Sequence, residues 1–546
     1  MNKQIQRYLL PALLLLAVIH VGRYFNYYFV PDSDFFAYSI AGKEIFSGQA
    51  LSSYQRLPLF SILLHGVSLL LPVHRADLLA AQILNFTALL FFLFFLKELS
   101  QRFIGPFYIV FLFLCLLQFL TPHMAVQPRT ELIASTFIVC GLAFADRNNT
   151  IAYLMAFLAS LVRYEAVVLI PILVVLEFCR EKKIIPAVLH GSLASLGIVT
   201  WLCLNYLHTG YLNPYHMHFG ENVSPAGHLF FARVSEVLTL DVVPGLWIVK
   251  MIVVFVCLTA GFYLLIKKEK SLGLAILSLY LFITVLSSRH HAPTYERTFM
   301  GIWIYLLCFS ALLGKIWRLA EKRYRKRIES ESQTDFSLFV FAMICVLFVF
   351  LHLAITLLLH KNFPFSVIPF ELFFALIFAT VFGKRTRLTP TVLLTIVTVP
   401  LVFLFINKQI LYTQRWMAKA KLNKADLRAI GEWIDRNDIR DKVAVTDRVV
   451  PLYYMEKPER RQLIDLSQFQ AENFDEFLAE LEEKNVEYVA YDSSHGGLAV
   501  ESMGYRYYNI DLISPLACGA SVENLIFIET VGYMGRNGHI YRVAER

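Results

Sequence analysis

PDSDFFAYSIAGKEIFSG, residues 31–48, sets two acidic side chains, Asp32 and Asp34, directly after the first apolar run of the chain. Carboxylates at the edge of hydrocarbon cost free energy unless a partner or a chemical task compensates them, so this stretch is the first candidate for chemistry. That cost arises only where the surrounding chain is membrane-embedded. The composition says that it is: 57% hydrophobic, 14% aromatic and 17% charged residues lie far from the balance of a water-soluble domain, and the mean hydropathy is +0.56.

With a window of about 20 residues per crossing, apolar runs fall at 8–28, 77–97, 104–121, 131–145, 150–161, 164–178, 184–207, 247–266, 272–288, 299–315, 336–359, 365–382 and 389–411, which predicts about 13 spans. The first, from Leu9 to Val21, has basic flanks but no small-residue cleavage site and reads as an uncleaved span. Alternate loops, at Lys97–Arg102, Asp146–Asn149, Arg180–Lys183, Lys267–Lys270, Lys315–Arg327 and Gly383–Arg387, fall on one side with the N-terminus and are mostly basic; KIWRLAEKRYRKR alone holds seven Lys or Arg. The positive-inside rule makes that side cytoplasmic. Opposite loops such as His208–Gly245, with Arg233 as their one arginine, face outward. The formal net charge of +8 therefore sets orientation and gives no reason to expect nucleic acid as a partner.

The run IAYLMAFLASLVRYEAVVLIPILVVLEFC is read as two short helices broken at Val162–Glu165, because a single crossing would reverse every later loop. Residues 58–73 are short for a span and are predicted as an amphipathic helix on the outer surface, preceded by another around Phe36–Phe46. The composition changes after Leu411. Residues 413–546 predict a compact soluble α/β domain: helices at Ala425–Arg436 and Phe474–Asn485, strands at Lys442–Thr446, Gln462–Leu466, Val486–Tyr491, Leu525–Thr530 and His539–Val543, with a Gly-rich turn at Gly535–Gly538. An odd number of spans sets this domain outside, with the acidic loop 29–76. The eight cysteines (Cys115, Cys140, Cys179, Cys203, Cys257, Cys308, Cys345 and Cys518) sit almost entirely in apolar runs without a CxxC pair, so neither a disulfide framework nor a cysteine metal site is predicted.

Several stretches together carry a family resemblance: PDSDFFAYSIAGKEIFSG, RLPLFSILLHGV (56–67), the acidic position in PRTELIASTFIV (128–139), SLVRYEAVVLIP (160–171), SSRHHAPTYERTF (287–299), and a C-terminal domain opening with AIGEWIDRN and KVAVTD. In this layout the chain resembles the integral-membrane glycosyltransferases of the GT-C class, which take polyprenyl-phosphate sugars as donors and include lipid A aminoarabinose transferases and protein O-mannosyltransferases. The resemblance implies a polytopic α-helical membrane protein with a C-terminal soluble α/β domain. It also implies an inverting transfer at the outer face of the cytoplasmic membrane, to a glycan, lipid or protein acceptor.

The residue types suit that chemistry. A phosphate-linked sugar already has a good leaving group, so one carboxylate base, Asp34 or Asp32, suffices to take the acceptor's proton, with Glu131 as a second active-site carboxylate. The departing phosphate needs fixed cations, and Arg163, Arg297, Arg56 and Arg289 lie at outer ends of spans against the charge bias. Each has a plainer reading: helix capping for the aspartates and Glu131, ion pairs for Arg163 with Glu165 and Arg297 with Glu296, snorkelling for Arg56 and Arg289. Some relatives carry a divalent ion, and His216, His218, His290 and His291 invite a metal reading, but no complete ligand set with zinc spacing is visible and no metal is assigned. A multi-span transporter or flippase of lipid-linked glycans is the competing class, although no repeats or mid-span ionisable groups support it. An O-antigen ligase or polymerase shares the donor.

Overall fold

The computed structural model describes residues 3–22, 24–25, 31, 33–49, 51, 56–73, 76–118, 120–210, 247–288, 295–328, 414, 424–446, 448–455, 462–466, 469, 471, 473–492, 514–533 and 535–544. The predicted spans at 336–359, 365–382 and 389–411 lie outside the described residues, as do Asp32, Arg289 and the four histidines.

The apolar runs form helices close to where they were read: α1 (Lys3–Gly22), α4 (Ala76–Ile104), α5 (Tyr108–Leu117), α6 (Leu120–Val126), α7 (Glu131–Phe144), α8 (Asn149–Ser160), α9 (Leu169–Glu181), α10 (Ile184–Thr209), α11 (Trp247–Lys268), α12 (Lys270–Ser288) and α13 (Tyr295–Ile328). Between α1 and α4 lie two shorter helices, α2 (Ser33–Ser47) and α3 (Pro58–Ser68), which pack on each other through Tyr38 and Phe60, 5.0 Å apart edge to face. Gly42 makes this approach possible: a Cβ there would stand 2.6 Å from the Ser61 carbonyl oxygen.

Among the described residues, two helical stretches are long and apolar enough to cross a membrane, 76–116 (α4 continued through a 3-10 turn into α5) and 184–208. The outward side of α10 is apolar, with Ile185, Val188, Leu189, Leu193, Leu196 and Val199 all exposed. Water would penalise such a stripe, whereas hydrocarbon would not. Three of the basic loops, at 97–102, 146–149 and 180–183, meet at one end, where Arg102 donates to Asp146 (2.7 Å) and to the Ala143 carbonyl (2.8 Å), and Arg180 to the Ala145 carbonyl (2.6 Å). Asp77, at the opposite tip of α4, lies about 38 Å from Arg102 along the axis at roughly 1.5 Å of rise per residue.

Two runs differ from the sequence reading. Residues 104–121 do not form one helix. Gln118 is extended, its amide donates to the Thr121 hydroxyl (2.8 Å), and that hydroxyl donates to the Cys115 carbonyl (2.5 Å), so side chains take over backbone bonding where the helix stops. Residues 164–178 begin as a 3-10 turn, Tyr164–Val168, before α9. The break falls at Arg163, whose backbone is extended (φ −145°, ψ 137°).

The C-terminal part is a five-stranded sheet, β1 (Lys442–Val445), β2 (Gln462–Asp465), β3 (Val486–Asp492), β4 (Leu525–Tyr533) and β5 (Arg536–Val543), in the order β2-β1-β3-β5-β4. β1 is parallel to both β2 and β3, while β5 runs antiparallel to β3 and β4. Both faces are covered, which explains the unbroken apolar run Val443–Val445. On one face, Leu427, Ile430, Trp433 and Ile434 of α14 (Ala425–Arg436) meet Val443, Val445 and Ile540. On the other, Phe477, Leu478 and Leu481 of α16 (Phe474–Glu483) meet Ala444, Val489 and Tyr541. The turn between β4 and β5 is tighter than its glycines suggest. Tyr533 pairs with Arg536, and Asn537 and Gly538 are already in the strand, leaving Gly535 (φ +84°) at the corner. The short helix α15 (Val449–Tyr454) follows β1 and reaches α2.

Candidate active site

At the α2 end of the bundle, charged residues from four segments converge. Asp34 lies in the first turn of α2, where the helix dipole favours a negative charge. Arg56, in the segment leading into α3, donates from Nη2 to Asp34 Oδ1 at 2.5 Å. The same guanidinium lies 5.7 Å from the ring centroid of Tyr38, one turn along α2. Arg56 therefore ties the acidic loop to its own helix, rather than snorkelling alone.

A second group surrounds the helix break. Arg163 Nη1 donates to Glu131 Oε1 (2.7 Å) and to the Thr130 hydroxyl (3.2 Å), while its Nε and Nη2 fork onto Glu165 at 3.2 and 3.0 Å. Glu131 opens α7 and its side chain is only 5% exposed, so the charge-assisted bond to Arg163 is what makes its burial tolerable. Arg129 adds a more distant cation, 4.0 Å from Glu131. Glu131 does not act as a cap: Thr130 is the N-cap residue and makes no capping bond.

Tyr38 joins the two groups. Its phenol shares a side-chain hydrogen bond with Thr130, and burial raises its pKa above the ordinary 10.0, against the opposing pull of the Arg56 cation; Asp34 pushes it up further and Arg163 pulls it down. A phenol held neutral in this way bridges the Asp34–Arg56 pair to the Thr130–Arg163–Glu131 group. Glu131 Oε2 and both amide atoms of the fully buried Gln82 have no hydrogen-bond partner among the described residues. Asn85, one turn further along α4, donates to the Gln127 carbonyl at 2.8 Å.

Of the residues singled out in the sequence, Asp34, Arg56, Glu131 and Arg163 thus stand together. The backbone of Arg297 lies in the first turn of α13, and its side chain, with Asp32 and Arg289, lies outside the described residues. Tyr38 and Thr130 were not foreseen: a tyrosine and a threonine carry no charge to mark them. Among the described residues no three His, Cys, Asp or Glu side chains gather as metal ligands.

A helical bundle whose first loop brings an acidic helix to the start of α7 and the break at Arg163, with a short helix of the C-terminal part packed on that acidic helix, matches the fold of the GT-C membrane proteins. ArnT from Cupriavidus metallidurans bound to undecaprenyl phosphate superposes with a TM-score of 0.53 at 13% identity, covering 99% of this chain and 98% of that one. The archaeal oligosaccharyltransferase AglB from Archaeoglobus fulgidus, in complex with an inhibitory peptide and a dolichol-phosphate, gives 0.54 at 11% identity over 98% of this chain and 74% of that one. No protein-family model matches the sequence, and a search of curated proteins finds no match.

Proposed function

We propose that the chain is an inverting glycosyltransferase that moves a sugar from a polyprenyl-phosphate donor to an acceptor hydroxyl at the outer face of the cytoplasmic membrane. The observation that carries this reading is the Asp34–Arg56 pair, linked through Tyr38 and Thr130 to Arg163, at one end of a fold whose relatives have been solved with undecaprenyl phosphate and with a dolichol-phosphate. In this account residues 1–412 form the membrane domain, the N-terminus is cytoplasmic, and residues 413–546 cap the site from outside.

The pair gives the chemistry an order. While Arg56 holds Asp34, Oδ1 of the carboxylate is occupied by the guanidinium at 2.5 Å. A phosphodiester arriving beside Arg56 competes for the guanidinium and frees Asp34. The acceptor O–H then gives its proton to Asp34 as its oxygen bonds the anomeric carbon, and the C–O bond to phosphate breaks with its electrons on the departing polyprenyl phosphate. Arg56 and, in the role first suggested by sequence, Arg297 and Arg289 balance the growing phosphate charge. Arg163 is already engaged by Glu131 and Glu165, which favours a positioning role over direct phosphate contact.

The test uses membranes of a strain lacking the endogenous protein, complemented with Asp34→Asn, Asp32→Asn or Arg56→Ala, and reads envelope glycans by mass spectrometry. Asp34→Asn should abolish the modification while the protein still inserts and still binds undecaprenyl phosphate. Full activity in both aspartate variants would refute the assigned base.

A further inference from the structure

A second carboxylate is buried at the same end, outside the pairs described above. Asp77, in the first turn of α4, is 8% exposed and takes hydrogen bonds from three elements. The Ser39 hydroxyl of α2 donates to Oδ2 at 2.5 Å, the Tyr453 hydroxyl of α15 donates to Oδ1 at 2.6 Å, and the Leu78 amide donates to Oδ1 at 3.0 Å. A buried carboxylate persists only where its lone pairs are met, and here the helix dipole and two hydroxyls meet them. Ser39 is adjacent to Tyr38 and lies on the helix that carries Asp34, whereas Tyr453 belongs to the C-terminal part, 376 residues away from Asp77 in the chain.

Ring contacts reinforce the same joint. Tyr453 packs edge to face on Phe36 (4.8 Å) and Phe35 (5.7 Å), and Tyr454 on Phe36 (6.2 Å). Phe35 and Phe36 directly follow Asp34, and both are fully buried. The face of α2 next to the candidate base is therefore held by α15. α15 follows β1 directly and is pinned to α14, where a Cβ on Gly431 would stand 2.6 Å from the Pro451 carbonyl oxygen. A short helix clamped in this way responds as a rigid piece to any displacement of the sheet.

We propose that Asp77 is a positioning residue through which the C-terminal domain sets the placement of α2, and with it Asp34 and Tyr38, and so regulates how the site binds the lipid phosphate. The regulatory half rests on the transferase reading; the mechanical half does not. The test is hydrogen–deuterium exchange on the full-length protein in detergent, comparing wild type, Tyr453→Phe, Asp77→Asn and the double variant. Tyr453→Phe keeps the ring packing and removes only the hydroxyl. Amides of residues 33–47 should exchange at least tenfold faster in each single variant, with those of α7 and α10 unchanged, and the double variant should be no faster than either single one. Unchanged exchange in α2, a uniform rise across the bundle, or strictly additive effects would each overturn the coupling. Undecaprenyl phosphate binding is measured alongside. A severalfold weakening in Tyr453→Phe extends the coupling to the site, and unaltered affinity there would overturn the regulatory half. A wild-type protein that does not bind undecaprenyl phosphate would sink the transferase reading, while the exchange result would still decide the coupling.

Discussion

Replacing Arg163 by alanine removes the centre of the group at the helix break, and the cost can be worked from its partners. Glu131, 5% exposed, loses its 2.7 Å donor and keeps only Arg129 at 4.0 Å. Breaking a buried pair by deleting one partner costs about 3–5 kcal/mol, because the remaining charge stays desolvated. Glu165, 23% exposed, can turn to water, and its share is at most about 1 kcal/mol. Arg163→Ala should therefore lower stability by about 3–5 kcal/mol, nearly all of it through Glu131. Adding Glu131→Gln to that variant should recover about 2 kcal/mol, since a neutral amide is cheaper to leave buried than a carboxylate. Equilibrium unfolding by sodium dodecyl sulfate in mixed micelles, followed by tryptophan fluorescence, reads both quantities. A loss under about 1 kcal/mol for Arg163→Ala, or a double variant less stable than the single one, would refute this account of the buried charge.

Three further outcomes follow from packing and titration. Gly42→Ala forces a Cβ to within 2.6 Å of the Ser61 carbonyl oxygen and 2.9 Å of His65 Cβ, so α2 and α3 should separate at a cost of about 1–3 kcal/mol, seen as lower thermal stability. Phe477→Ala empties a site 1% exposed between α16 and the sheet, and should cost about 3–5 kcal/mol, read as early loss of β-sheet signal on heating. His539, stacked on Tyr491, is held by burial below the ordinary value of 6.5. The unfolded chain therefore takes up a proton first as pH falls, and the stability present above about 6.5 is lost as pH drops through the lower folded value. His539→Gln should flatten the fall in melting temperature between pH 7 and 5; an unchanged slope would exclude His539 as its source.

How much could be read beforehand depended on the kind of physics involved. Apolar runs announce helices because burial and backbone hydrogen bonding act locally, so α7, α8 and α10 begin and end within a few residues of the sequence reading. Asn148 even caps α8, accepting from the Ile151 amide. The ends of 104–121 were missed because Gln118 and Thr121 divert backbone bonds by side-chain geometry that no hydropathy window records. In the site, unpaired charge beside hydrocarbon was the signal, and it led to Asp34, Glu131 and Arg163. The partner of Arg56 lay 22 residues away, and hydropathy alone suggested a lone snorkelling side chain. Tyr38 and Asp77 stayed hidden, the first because a phenol in an aromatic-rich helix looks like packing, the second because Tyr453, which donates to it, is far off in the chain.

One core cluster runs from Leu13 and Phe60 through Leu427 and Ile430 to Ile540 without interruption. The bundle and the inner face of the sheet thus share a single greasy interior, and chimeras that splice a foreign C-terminal part at the end of the last span would confront mismatched surfaces. An exchange designed to retain assembly would have to transplant the stretch around Phe35 and Phe36 together with Tyr453 and Tyr454, because these rings pack on one another.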